Sequence, residues 1–222
     1  MICGIIIARG RGSSLPEKNI YPLNGKPMLE HFVNEVGQCR HLDEIFVWTE
    51  SEKVADVPRA CRCIPLKRSM EMVYYGSGFY KVKSWHNHVM NLIQNKIGQP
   101  SVVVNLNCNY VLFRAATLTA MIDRLFEKQS LQQVFAVAPV NPGIFIENSE
   151  TGLAMPLFPD LTGIIRKLGI SVTRIYSSEF KAEHFKVSWE DGRDVQNLED
   201  IPFAEYVLQM RAEKKKILEN RS

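Results

Sequence analysis

The residues best suited to chemistry lie in one run, Ala8-Arg9-Gly10-Arg11-Gly12-Ser13-Ser14-Leu15-Pro16-Glu17-Lys18-Asn19. Glycines let backbone N–H groups turn toward an anion, serines add hydroxyl donors, and Arg9, Arg11 and Lys18 bring fixed positive charge. That combination suits a polyphosphate. It is not a Walker A loop, because no Gly-Lys-Ser/Thr follows, and it is not the G-x-G-x-x-G turn of dinucleotide sites. On composition alone, a solvated glycine-rich turn with incidental basic residues stands beside the phosphate reading.

Other reactive side chains form no second centre. Cys3, Cys39, Cys61, Cys63 and Cys108 are odd in number and scattered, and Cys61 and Cys63 are too close for a C-x-x-C site, so reduced cysteines of a cytoplasmic protein are expected. His86 and His88, two apart on a helix, face different sides and cannot share a metal, while His31, His41 and His184 stand alone. No G-x-S-x-G nucleophile motif occurs. Tyr74, Tyr75, Phe79 and Tyr80 suit stacking on a base or sugar, and equally packing at a sheet edge.

These residues must be held by an alternation of strands and helices. Ile2–Ala8 is a continuous apolar run, as a strand buried on both faces requires. Pro27 opens a helix with Leu29, Phe32, Val33 and Val36 at helical spacing. Strands are expected at 44–48, 62–66, 102–106 and 133–137, with a helix capped by Ser51 running through Ala55. Two further helices carry Val82, Trp85, Val89 and Leu92, and Leu118, Met121, Ile122 and Leu125. Prolines and glycines loosen the pattern over 139–163, after which a short helix and a strand near Val172–Tyr176 are expected. The last helix begins at Pro202, with Phe203, Tyr206, Val207 and Met210 as its apolar face and a charged, fraying end. The fold class is therefore α/β, a mostly parallel twisted sheet with helices on both faces, and residues 1–222 read as a single domain with a less regular segment at 141–184.

Composition narrows the function. Lysine and arginine total 27 against 24 acids, a formal charge of +3 that fits an anionic small molecule as readily as nucleic acid. The basic tail of Arg211 and Lys214–Lys216 reads as a solvated helix end rather than a nucleic-acid contact. No apolar run approaches the ~20 residues of a membrane span, and Ile2–Ala8 runs straight into Arg9 with no basic leader, so it reads as a strand and not a signal peptide.

The order of residues carries more than the composition. The stretch I-I-I-A-R-G-R-G-S-S-L-P-E-K-N-I-Y-P-L-N-G-K-P-M-L-E-H, residues 5–31, resembles the signature of the CMP-sugar synthetases, the cytidylyltransferases that activate sialic acid and keto-deoxyoctulosonate. Arg9, Pro16, Lys18, Gly25, Lys26 and Pro27 fall in register with it. Asp43–Glu50 resembles the family's second strand, His88 falls where its third helix often carries a histidine, 104–109 resembles its central strand end, and Asp194–Asp200 with Ala204-Glu205 its closing acidic motif. Residues 141–184, where the family places sugar and dimer contacts, show no match.

The resemblance implies a Rossmann-like nucleotidyltransferase fold and transfer of CMP from CTP to an acidic sugar, with release of pyrophosphate, Mg2+ as cofactor and a homodimer. Arg9 and Lys18 would be catalytic. Ala8, Arg9, Gly10, Arg11, Gly12, Ser13, Lys18, Asn107 and Asn109 would bind the nucleotide, and Asp194 would remain as metal ligand. Departures sit at sensitive positions. Asn109 stands where octulosonate enzymes carry aspartate, Gln196 replaces the second acid of the closing motif, Gly12 takes a serine position, and Glu17 replaces the glycine before the lysine. A carboxylate at 17 would repel a triphosphate unless it points outward or pairs with Arg11. These changes raise the alternative of a catalytically weak or inactive nucleotide-binding homologue serving as a partner or regulatory subunit.

Overall fold

The computed structural model of the chain describes residues 1–11, 15–61, 63–70, 72, 82–139, 145–147, 154–156, 165–175 and 181–220. The strands are β1 (Ile2–Ile7), β2 (Pro22–Leu23), β3 (Lys26–Pro27), β4 (Glu44–Thr49), β5 (Ile64–Lys67), β6 (Val102–Leu106), β7 (Gln133–Pro139), β8 (Phe145–Glu147), β9 (Ala154–Pro156), β10 (Ile165–Arg174) and β11 (Ala182–Lys186). The helices are α1 (Met28–Val36), α2 (Glu52–Ala60), α3 (Val82–Ile97), α4 (Ala115–Glu127) and α5 (Ile201–Glu219).

Seven strands form one sheet in the order β11-β7-β10-β6-β1-β4-β5, while β2-β3 and β8-β9 are separate two-stranded ribbons. β1 is parallel to β4 and β6, β4 to β5, and β11 to β7. β10 is the reversed strand, antiparallel to both β6 and β7. β1 therefore sits at the centre, and its alternating side chains feed two cores. Ile2 and Ile6 join the layer built with α1, α2 and α4, whereas Cys3 and Ile5 join Val89, Met90 and Ile93 of α3 on the other face. That two-sided burial explains why β1 is apolar without interruption. From β1 the chain moves out to β4 and β5, then returns across β1 to β6, so the sheet reverses its winding between β1 and β6, where ligands of such folds gather.

The helical faces follow the spacing in most places. Leu29, Phe32, Val33 and Val36 of α1 are buried, as are Leu118, Met121, Ile122 and Leu125 of α4. Ser51 Oγ accepts from Val54 N at 3.4 Å and caps α2, which continues beyond Ala55 to Ala60 with Pro58 inside it. Among the described side chains of α3, Val89, Met90 and Ile93 are buried and Leu92 packs at their margin, while the side chains of Val82 and Trp85 lie outside the described ones. The short helix expected before Val172 has no place in 165–174, because β10 occupies all of it. The face of α5 is also corrected. Ile201 and Ala204 are buried and Val207 and Leu208 pack on the core, while Tyr206 and Met210 are exposed. Phe203 and Val207 of the expected face do pack against the core, and the small Ala204 lets the helix approach the body, so the correction is confined to Tyr206 and Met210. The charged end is exposed yet stays helical to Glu219. No helix among the described residues is long and apolar enough to cross a membrane.

Candidate functional site

A cleft of about 830 Å³ opens at the carboxyl ends of β1 and β6, a size usual for small-molecule sites. Arg9, Arg11 and Lys18 reach it from the loop after β1, and Asn107 and Asn109 from the turn after β6. Its floor is apolar, with Ile5, Ile7 and Val103. The opposite wall is β10, where Ser171 and Thr173 accept from Asn105 Nδ2 and Gln133 Nε2 at 3.3 and 2.9 Å. The register shift in β10 between Lys167 and Ser171 places Gly169 at φ +50, and a Cβ there would stand 3.2 Å from Asn107 Nδ2. A glycine thus admits Asn107 to the cleft.

The loop after β1 is braced from below. Ala8 N donates to Trp48 O at 3.1 Å, and Gly10 N to Glu50 Oε1 at 2.8 Å. Both amides serve the fold in this arrangement rather than facing the cleft. A Cβ on Gly10 would lie 2.5 Å from Ser51 Cβ, so this position accepts only glycine without movement. Gly12 and Ser13 lie outside the described residues, as do Tyr74, Tyr75, Phe79 and Tyr80.

Glu17 points outward. It adopts φ 50, and its Oε1 accepts from Lys53 Nζ of α2 at 3.0 Å, a pairing with α2 rather than with Arg11. The carboxylate is thereby removed from the anion path. Lys18, in a 3-10 turn of Lys18–Ile20, is buried, and its Nζ donates to Gln196 Oε1 at 2.9 Å. Burial holds the Lys18 ammonium below its ordinary range and Arg9 adds to this, while Asp194 pulls the other way. Asn19, also buried, donates to Arg9 O at 2.7 Å and accepts from Cys108 Sγ at 3.1 Å. Complete burial pushes the Cys108 thiol up to about 12, so it is a packed hydrogen-bond donor rather than a nucleophile.

The closing segment meets this loop. Gln196 Nε2 donates to Asp194 Oδ2 at 2.9 Å, and Val195 N donates to Asn109 O at 2.8 Å. Asp200 accepts backbone N–H bonds from Gln196 and Asn197 at 2.9 and 3.0 Å, forming a capping box with Asn197 ahead of α5. A divalent cation of the magnesium type wants several oxygen ligands with carboxylates among them. Of Asp194 and Asp200 in this segment, Asp200 is taken up by Gln196 N, Asn197 N and Arg193, which leaves Asp194, whose Oδ2 already receives an amide N–H, next to a buried ammonium. Asn109 spends its backbone N–H on Asn107 Oδ1 at 3.1 Å. No group of three or more His, Cys, Asp or Glu that could hold a metal occurs among the described residues. This donor set does not fit a protein-held Mg2+.

One charged residue near Arg9, outside the cleft's lining, escaped sequence reasoning. Arg68, after β5, is buried over the Trp48 ring with Cζ 4.7 Å from its centroid. Its Nη2 donates to Met72 O at 2.6 Å, while Nε and Nη1, like Glu50 Oε2, find no hydrogen-bond partner among the described residues. Burial lowers the Arg68 pKa and Arg9 lowers it further, against the pull of Glu50. A lone arginine after a short strand gives no periodic signal; the only hint is a charge where the strand should still be covered.

A family model described as cytidylyltransferase matches residues 3–151 of the chain. Two curated relatives, the 8-amino-3,8-dideoxy-manno-octulosonate cytidylyltransferases of Shewanella frigidimarina and Shewanella amazonensis, are each 36% identical over 52 residues, or 23% of this chain. The matched stretch spans about a fifth of the length of those relatives, 21%. Among solved structures, a CMP:2-keto-3-deoxy-manno-octonic acid synthetase complexed with CTP aligns at TM-score 0.69 and 13% identity, covering 95% of this chain and 99% of its own. A 4-diphosphocytidyl-2C-methyl-D-erythritol synthase from Anaerococcus prevotii aligns at TM-score 0.63 and 14% identity, covering 94% and 98%. At such identities the likeness is one of fold.

Proposed function

The chain belongs to the cytidylyltransferase family, and from that premise we propose that it transfers CMP from CTP to a hydroxyl of an acidic sugar and releases pyrophosphate. The supporting observation is the convergence of Arg9, Arg11 and Lys18 with Asn107 and Asn109 on one cleft. In the step, the acceptor hydroxyl releases its proton to solvent as its oxygen bonds to the α-phosphorus, the bond from that phosphorus to the β-phosphate oxygen breaks, and pyrophosphate leaves with the electron pair. Little covalent work falls to the protein in such a transfer, which is driven by positioning and charge neutralisation. Arg9 and Lys18 hold the triphosphate and offset the charge on the leaving group, with Arg11 at the rim. Asn107 and Asn109 take the polar edge of the cytidine, and Ile5 and Val103 cover its ring.

The acidic sugar enters beside residues 141–184, within one domain that pairs as a homodimer in the cytoplasm. The compounds named for the relatives, 8-amino-3,8-dideoxy-manno-octulosonate and 2-keto-3-deoxy-manno-octonic acid, are the first acceptors to try.

Phosphorus NMR of the chain with CTP and each acceptor tests the reading. Pyrophosphate and a CMP phosphodiester should appear together, with CTP preferred over other nucleoside triphosphates. Binding of CTP with no turnover of any acidic sugar would leave a nucleotide-binding homologue. Failure to bind CTP at all would overturn the reading.

A further inference from the structure

We propose that Lys18, fixed by Gln196, is the built-in cation of the phosphate site, so that the triphosphate is taken without a divalent cation held by the protein. The inference rests on the nucleotide reading above and deepens it.

The amide of Gln196 is locked from both ends. Its Oε1 accepts from the Lys18 ammonium at 2.9 Å, and its Nε2 donates to the Asp194 carboxylate at 2.9 Å. The reverse orientation would put N–H against ammonium and carbonyl against carboxylate, so the two charges choose the orientation. The same segment is pinned by its backbone, through Gln196 N to Asp200 Oδ2 at 2.9 Å and Val195 N to Asn109 O at 2.8 Å. Gln196 therefore relays between a cation and an anion, with its oxygen already turned to the ammonium.

A dication bound at Asp194 would stand one amide away from a buried ammonium that cannot retreat into solvent. It would also find the amides of Asn109 and Gln196 where a second carboxylate would otherwise assist it. The cleft instead presents three protein cations, Arg9, Arg11 and Lys18, while the acids flanking the loop after β1 are turned to other groups, Glu17 to Lys53 and Glu50 Oε1 to Gly10 N. Protein-borne charge of that density serves a triphosphate as a metal otherwise would.

The test is calorimetric titration of the intact chain with CTP, in excess MgCl2 and in EDTA, for the wild type and Gln196→Asp. The wild type should hold CTP within about threefold of the same Kd in both buffers, and Gln196→Asp should lose about tenfold or more on chelation. A wild-type loss above about tenfold in EDTA would overturn the proposal. A second arm uses Mn2+ alone, followed by loss of its free paramagnetic resonance signal. The variant should bind it more tightly than the wild type; a stoichiometric wild-type site abolished by Asp194→Asn would also overturn the proposal. Absence of CTP binding in both buffers counts against the nucleotide reading and leaves the Mn2+ arm to decide this one.

Discussion

The Cys108 thiol donates to Asn19 Oδ1 at 3.1 Å across 89 residues of chain, and the same amide donates to Arg9 O at 2.7 Å. One buried side chain thus ties the end of β6 to the end of β1 and sets where Arg9 leaves the sheet. Replacing it by Asn19→Ala strands a buried carbonyl and should cost about 1–3 kcal/mol of stability. CTP affinity should fall with it, because Arg9 loses its anchor. Urea unfolding and CTP titration of the same preparation check both, and an unchanged unfolding midpoint would refute the bracing role.

Thiol reactivity follows from the same burial. Desolvation pushes Cys3, Cys63 and Cys108 up to about 12, Cys39 is buried as well, and Cys61 is the half-exposed one. With a thiol-specific chromogenic reagent at about pH 8, Cys61 alone should react quickly in the native protein, and all five cysteines in denaturant. Rapid loss of several native thiols would contradict the packing described.

Lys18 carries charge where charge is costly. A Lys18→Met variant fills the same space without it, so thermal stability should hold or rise. CTP binding should weaken at least about tenfold, the worth of one charge-assisted contact. Calorimetry set beside a thermal melt separates the two effects. A variant that binds CTP normally would remove Lys18 from the site.

Gly10 makes a sharper steric case. Because its added Cβ would lie 2.5 Å from Ser51 Cβ, Gly10→Ala should destabilise by about 1–3 kcal/mol. The double variant Gly10→Ala/Ser51→Gly removes the obstructing carbon, at a cap cost of a few tenths, about 0.3 kcal/mol, and should recover most of the loss. No recovery in the double variant would show that the strain lies elsewhere.

Acid sensitivity should trace to Asp200. Burial, the largest single influence, pushes its carboxyl up, but N–H bonds from Gln196 and Asn197 together with the Arg193 guanidinium outweigh it and hold the pKa below the ordinary 3.8. A depressed folded-state pKa gives stability that is present above the unfolded value and lost as pH falls through the folded one. Asp200→Asn should therefore cost about 1 kcal/mol near neutral pH, and its urea midpoint should change less than the wild type's between about pH 5 and pH 2. Parallel acid profiles for the two proteins would discharge Asp200 from this role.

The amino-acid order alone determined the parallel core strands, the apolar faces of α1 and α4, and the basic loop after β1, because each is written in local spacing that burial on one or both faces enforces. It also showed that Glu17, Asn109 and Gln196 depart from the motif they sit in. Only the tertiary structure decided what those departures do. Glu17 meets Lys53, Gln196 meets Lys18 across 178 residues, and Arg68 comes to lie on Trp48. Such pairs are set by where the sheet reverses its winding between β1 and β6, which no window of sequence contains. The same holds for α5, where Phe203 and Val207 of the expected face pack beside the buried Ala204 while Tyr206 and Met210 turn to solvent.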